Sequence, residues 1–345
     1  MALELIADGP GSALMGEYEE KAPAAGEVRI RSLFSAVKHG TEFRGFQAKS
    51  TDATDRWDRD LRMHVRGEPQ TNAFPKSLGS VVYGEVEEVG PEVDGFKMGD
   101  RVFAHASVRE SHTAKATRFH QAPEGVSPEA LVYSDPADVA LGGIRDGNVR
   151  VGDRVAVFGL GAIGQMQVQV ARVAGARWVA AVDPIAKRRA AAARHGADLV
   201  LDPTESDAGL VIKEATGGLG IDVAVESSGS SRGLNEALRS TKFQGTIVST
   251  AYYIGPMDGL FFSGEWHRNR IKIIASRTNS EPMPDYGWTF DRTREEALAL
   301  LVEGKLSADG LVDPIVPMRE AATAYMRMNS HPEEGIKLGI DHTLT

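Results

Sequence analysis

The chain is 345 residues long, 42% hydrophobic and 25% charged, with a formal net charge of −9. The acidic balance excludes a nucleic-acid surface, which needs clustered positive charge, and the absence of cysteine excludes disulfides and thiolate metal sites. The length exceeds what one core usually organises, so two domains are expected.

The first residues, Met1 to Asp8, carry acids where a secretory signal needs a basic start and a long apolar run. No apolar stretch approaches membrane-spanning length. A cytoplasmic protein with no membrane or nucleic-acid partner is therefore expected. Up to about residue 130 the pattern is β-like: Glu27–Ser32 alternates, Val82–Val89 alternates and ends at Gly90-Pro91, and Asp100–Ala104 follows a glycine turn. Residues 44–78 fit no regular pattern and crowd Arg44, Arg56, Arg62, His64 and several aspartates around Trp57. They read either as a solvated surface loop or as a lid over a polar substrate.

From about residue 150 the rhythm becomes strand-then-helix. Strands are expected at Arg154–Phe158, Trp178–Val182, Leu199–Leu201, Asp222–Glu226, Thr246–Thr250 and Ile271–Ala275, with helices at Gln165–Ala174, Lys187–Arg194 and Leu234–Ser240. Gly175 and Gly196 fall where helix C-terminal glycines belong. The pattern predicts an α/β chain with a doubly wound, six-stranded parallel sheet. Beyond it, Arg294–Glu303 has a helical pattern ended by Gly304. Pro314–Pro317 and Ile336–Ile340 read as extended segments that return to the β module. The expected domains are 1–135, 136–285 and 286–345, the last rejoining the first.

The most specific signal is Gly159-Leu160-Gly161-Ala162-Ile163-Gly164, entered from an apolar strand and left by a helix, with Asp183 about twenty residues on. Gly159 permits the tight turn, Gly161 leaves room for a pyrophosphate, and Gly164 lets the helix pack on the strand. The N–H groups of the first helical turn, at Ala162 and Ile163, face the phosphates. Asp183 is placed to accept from ribose hydroxyls and to repel a 2′-phosphate, which favours NAD. Lys187 and Arg188 follow closely, so Arg188 is a further cofactor candidate and NADP stays open. Ser227, Ser228 and Thr250 end the fourth and fifth strands at the carboxyl edge, where ligands bind.

These motifs, with Gly79–Gly90, Phe96–Phe103 and Val225–Gly229, resemble the medium-chain dehydrogenase/reductase superfamily along nearly the whole chain. Gly40-Thr41-Glu42, Val139–Asp146, Trp266–Ile271 and the Ser276-Arg277 pair are most similar to a zinc-free branch. That branch includes bacteriochlorophyllide hydroxyethyl dehydrogenases and alcohol, sugar and cyclitol dehydrogenases. The resemblance implies a discontinuous, β-rich GroES-like catalytic domain around a Rossmann NAD-binding domain, and a homodimer joined edge to edge through the nucleotide domains. It also implies that Lys38 stands where the first zinc-binding Cys would be, Ser80 and Val81 where a His and a Glu would be, and Ser134 near the third ligand. None of these is a normal zinc ligand, so no zinc is expected. A substitute site from His39, Glu42 and Asp135 lacks supporting ligand spacing.

Without a metal, a side chain must steady the developing alkoxide and handle the proton. Lys38 is placed to hydrogen-bond the hydroxyl oxygen, or simply pairs with Glu42 on a helical turn. His39 reads as a pyrophosphate contact or relay member, or as structural. Thr41 and Glu42 either complete a relay or cap the short helix. Tyr83 either offers a phenol near substrate or packs in the core. Asp135 lies at the domain junction, where a cleft is expected. Lys337 stands where the resemblance has a pyrophosphate-binding base, or is a surface lysine. The expected activity is zinc-independent hydride transfer between NAD and a secondary alcohol or ketone of a sugar, cyclitol or polyol. The rivals are an NADPH-dependent quinone or enone reductase, which Asp183 disfavours, and a non-catalytic NAD-binding protein.

Overall fold

The computed structural model describes residues 1–38, 40, 42, 54–68, 74–253, 257–277 and 287–344. They form two units, Met1–Val132 with Val312–Thr345, and Tyr133–Leu311.

The first unit is built on the strand Glu27–Ala36. Its period-two alternation buries Val28, Ile30, Phe34 and Ala36. The intervening Arg29 and Arg31 reach Glu85, Glu87 and Glu88 across the sheet. Val81–Val89 and Ser111–Lys115 pair antiparallel with this strand, and Arg101–His105 extends the sheet. Gly339–Asp341 also pairs with Glu27–Ala36, setting Gly339 opposite Ala36, so the C-terminal residues close the β unit. Val28, Ile30, Val82, Val86, Val102 and Phe119 make one core. A second cluster joins Leu5, Val37 and Leu78 to Tyr325 and Met328 of the helix Ala321–Ser330.

The second unit is a six-stranded sheet in the order Leu199–Leu201, Trp178–Val182, Arg154–Phe158, Ile221–Glu226, Thr241–Ser249, Lys272–Ala275. Every neighbouring pair is parallel. Val155 to Phe158 are buried without alternation, as a central parallel strand with both faces covered requires. The strand order reverses between Arg154–Phe158 and Ile221–Glu226. Their carboxyl ends therefore bound the crevice where such sheets hold ligands.

Several elements differ from expectation. The fifth strand begins earlier, at Thr241, with a register shift near Ile221 and Val223. Three helices gave no periodic signal. Ala208–Ala215 is short but starts on Asp207, which accepts from the Leu210 N–H at 2.9 Å. Ala321–Ser330 lies between the two tail segments that read as extended, in a stretch given no assignment. Ser134–Asp146 is disguised by Pro136, tolerated in a first turn, and by Gly143, where a Cβ would lie 2.5 Å from Thr250 Cγ2. The return to the first unit falls at Val312 rather than at 286. The helix Phe290–Val302 buries Ala297, Leu300 and Leu301 and packs against Ser134–Asp146 inside the second unit. The described part of 44–78 contains a hairpin, Asp55–Asp58 with Met63–Arg66, which sets the Trp57 and His64 rings edge-on at 5.0 Å. Among the described residues no helix is long and apolar enough to cross a membrane.

Candidate active site

The glycine turn is sterically determined. Gly159 adopts φ +90°, and a Cβ there would lie 2.5 Å from the Ser228 backbone N. At Gly164 a Cβ would lie 2.0 Å from the Gly159 carbonyl oxygen, so only glycine lets the helix Ala162–Val173 start so near the strand. Gly161 is different: its φ is −68° and a Cβ would meet nothing within 4 Å. No contact within the described residues requires a glycine there. No side chain caps this helix, and its first intrahelical bond is Gln165 N to Gly161 O at 2.9 Å. The N–H groups of Ala162 and Ile163 thus begin an uncapped N-terminus suited to an anion.

Asp183 is buried at the end of the second strand. Its carboxylate accepts from the Leu160 N–H at 2.7 Å and the Ile185 N–H at 2.8 Å, which fixes it beside the glycine turn. A pocket of about 480 Å³ opens here, lined among others by Gly159, Asp183, Pro203, Ser228, Arg232 and Gly233. Arg188 lies in the first turn of the helix Ala186–Arg194, and its carbonyl accepts from Gln165 at 2.9 Å. Burial pulls its guanidinium pKa down, while the Asp183 and Tyr133 charges act in the opposite sense. Arg189, which sequence reasoning passed over, bonds the Asp183 carbonyl at 2.7 Å and pairs with Asp202 at 2.8 Å.

Ser227 and Thr250 meet at 2.6 Å, and both bond Gln167 of the glycine-loop helix, at 2.5 and 2.9 Å. Gln167 was not foreseen; the fold buries its amide completely, and nothing in the sequence marks that burial. Ser228 belongs to a turn gathered by Glu226. That buried carboxylate accepts from Ser228 N at 2.8 Å, Gly229 N at 3.2 Å and the Tyr253 hydroxyl at 2.6 Å. Burial raises the Glu226 pKa, and the Ser228 and Tyr253 bonds oppose the rise.

In the first unit, Glu42 caps the turn that bears Lys38. One oxygen accepts from Lys38 N at 2.9 Å, the other from Gly79 N at 2.6 Å, and Glu42 N closes a helical bond to Lys38 O at 3.0 Å. Its pKa is raised by burial, against the backbone bonds and the charges of Lys337 and Lys38. Both carboxylate oxygens hold backbone N–H groups, the geometry of a cap. Lys337 is no surface lysine: it is 1% exposed and donates to Val37 O at 2.8 Å. Tyr83 is half-buried on the strand face opposite the one that sends Val82 and Val86 into the core. Asp135 is buried in the first turn of Ser134–Asp146. His39 and Thr41 lie outside the described residues.

A GroES-like β unit and a doubly wound sheet with this glycine turn define a dehydrogenase class, and the chain belongs to it. The Alcohol dehydrogenase GroES-like domain family matches residues 50–176 and the Zinc-binding dehydrogenase family residues 162–297. The chain is 40% identical over 346 residues to D-guloside 3-dehydrogenase of Escherichia coli (strain K12), covering 98% of this chain and 99% of that protein. It is 30% identical over 274 residues to (R,R)-butanediol dehydrogenase of Bacillus subtilis (strain 168), covering 71% and 75%. The fold matches the crystal structure of 2R,3R-butanediol dehydrogenase from Bacillus subtilis with a TM-score of 0.77 at 21% identity, covering 99% of each chain. The protein is a medium-chain, zinc-type alcohol dehydrogenase relative, an oxidoreductase acting on CH–OH in an NAD(P)-dependent family.

That family is usually zinc-binding, and the described residues at the positions implied for the metal do not fit it. Ser80 is buried with its Oγ turned to Ala36 O at 3.3 Å, Val81 is apolar, and Lys38 brings an ammonium.

Proposed function

We propose that the protein oxidises a secondary hydroxyl of a sugar or glycoside, or reduces the corresponding ketone, with NAD and without zinc. The sugar class rests on the 40% identity, over nearly the full length, to a D-guloside 3-dehydrogenase. The NAD preference rests on Asp183, whose fixed carboxylate lines the pocket beside the glycine turn. The observation that carries the metal-free reading is the donor set, with an ammonium, a committed hydroxyl and a valine where ligands would stand. NAD supplies the hydride acceptor. The Lys38 Nζ hydrogen-bonds the substrate oxygen and stabilises its developing negative charge, the work zinc does elsewhere, while the hydroxyl proton leaves to solvent as the hydride passes to NAD. Glu42 holds the Lys38 backbone through its N–H and so fixes where that side chain begins. The Gln167–Ser227–Thr250 network keeps two strand ends rigid beneath the cofactor.

A cytoplasmic homodimer completes the proposal. The strand Lys272–Ala275 is a sheet edge, and Phe261, Phe262, Trp266 and Ile273 are exposed hydrophobics in and before it. The test follows reduced-cofactor absorbance on D-gulosides, other glycosides and polyols with NAD or NADP, with and without chelator. NAD-linked turnover on a sugar secondary alcohol that survives chelation is expected. Loss on chelation with recovery on added zinc overturns the metal-free reading, and NADPH-only activity on quinones or enones overturns the whole proposal.

A further inference from the structure

We infer that Glu226 is a positioning residue for the dinucleotide, and that through Tyr253 it ties the turn after the fourth strand to the segment after the fifth. Glu226 is fully buried at the end of Ile221–Glu226. Its Oε1 accepts from Ser228 N at 2.8 Å, from the Ser228 hydroxyl and from Gly229 N at 3.2 Å. Its Oε2 accepts from the Tyr253 hydroxyl at 2.6 Å, and Tyr253 in turn accepts from Ser249 Oγ at 3.1 Å. Each of these partners of the carboxylate is a donor, a demand met by a carboxylate and not by an amide.

The turn so gathered forms part of the pocket wall. Ser228 Oγ meets Ser230 Oγ at 2.9 Å, and Ser230 caps the helix Ser231–Ser240 by accepting from Gly233 N at 2.9 Å. The turn is also pressed onto its neighbours. A Cβ on Gly159 would lie 2.5 Å from Ser228 N, and one on Gly233 would lie 2.3 Å from Ser228 Oγ and 3.0 Å from Glu226 Oε1. Gly159, Ser228, Ser230 and Gly233 all line the pocket beside Asp183. A small movement of the 227–230 turn therefore moves the glycine turn and the pocket wall together. Tyr253 lies outside that lining, and its bond to Glu226 is the route by which it acts on cofactor affinity.

The inference rests on dinucleotide binding at this pocket. Its test uses Glu226→Gln and Tyr253→Phe in the full chain, with NADH affinity from fluorescence titration, ADP-ribose affinity from calorimetry, and the melting temperature of the cofactor-free protein. Glu226→Gln is expected to weaken NADH and ADP-ribose about tenfold, the scale of one lost bond to a charged acceptor. The KM for NAD should rise in parallel, with kcat at saturating NAD changing less than about twofold. Tyr253→Phe should weaken both ligands about threefold, and the double variant should be no worse than Glu226→Gln alone. Unchanged affinities in a folded Tyr253→Phe variant, or additive losses in the double variant, overturn the inference. So does a Glu226→Gln variant that melts lower but binds NADH normally. If the unaltered protein binds neither NADH nor NADPH, the proposed function fails first.

Discussion

The two units keep their function in different ways. In the second, the fingerprint glycines answer backbone demands: Gly159 and Gly164 have no room for a Cβ, while Gly161 has room and leaves it open. In the first, the turn at Lys38 is held by one buried carboxylate reaching two backbone N–H groups. Steric demands on the backbone impose a residue type at fixed spacing, whereas a side-chain cap can be supplied by many chemistries. The glycine turn is therefore tightly specified, and the turn at Lys38 is open to more than one chemistry.

The sharpest way to break this contrast is at Lys38. Lys38→Ala is expected to lower kcat/KM on the sugar substrate by about 10²–10⁴, the range for a group acting on the proton or charge in the transition state. NADH affinity should be unchanged; unaltered steady-state turnover would remove Lys38 from its assigned role. Next come the glycines. Gly164→Ala forces a Cβ to 2.0 Å from a backbone oxygen, and chemical denaturation should register a loss of about 2–4 kcal/mol. Gly161→Ala, at φ −68° in open space, should leave stability within about 0.5 kcal/mol while NADH affinity falls. Equal destabilisation by both variants would erase the distinction between packing and phosphate-facing glycines. Asp183→Asn should narrow the NAD-over-NADP ratio of kcat/KM by about tenfold, and a ratio that does not move would sink the assignment of Asp183 to the ribose.

A pH effect lies in the first unit. Burial, the largest cause in both, lowers the pKa of His112 to about 3 and of His342 to about 4. His342 bonds Ser35 Oγ at 2.9 Å, while His112 Nε2 and His342 Nδ1 are buried without a hydrogen-bond partner. Both folded pKa values lie below the unfolded value of about 6.5, so the unfolded chain binds more protons in between. Stability is full above that pH and falls as the pH drops towards 4 and then 3, by up to about 1.4 kcal/mol per pH unit for each histidine. Melting temperatures from pH 7 to 4 should fall less steeply in His112→Gln than in the unaltered protein; parallel curves would assign the acid lability to other groups.

The parallel strands were legible to within a residue or two at most ends, because a buried parallel strand is a short apolar run bounded by turn signals. Ser134–Asp146 and Ala208–Ala215 were not, because Pro136, Gly143 and Gly209 break the helical period. Those glycines are set by neighbours distant in sequence: Thr250 against Gly143, and Arg239 against Gly209. Lys337 had two readings until the fold buried it against Val37 O. Glu226 stood in plain view at a strand end, but its partners Ser228 and Tyr253 come from two different connections.

The sequence by itself determined the class of the protein, the dinucleotide turn and Asp183. Each depends on local spacing, where a strand, a tight turn and a helix N-terminus follow one another along a single stretch of backbone. Only the tertiary structure decided that Glu42 holds the backbone N–H groups of Lys38 and Gly79, that Lys337 is buried, that Gln167 joins Ser227 to Thr250, and that the tail returns at Val312. The physical reason is that a buried polar group takes its role from whichever donors or acceptors the fold brings within about 3 Å, and those distances have no counterpart in sequence spacing.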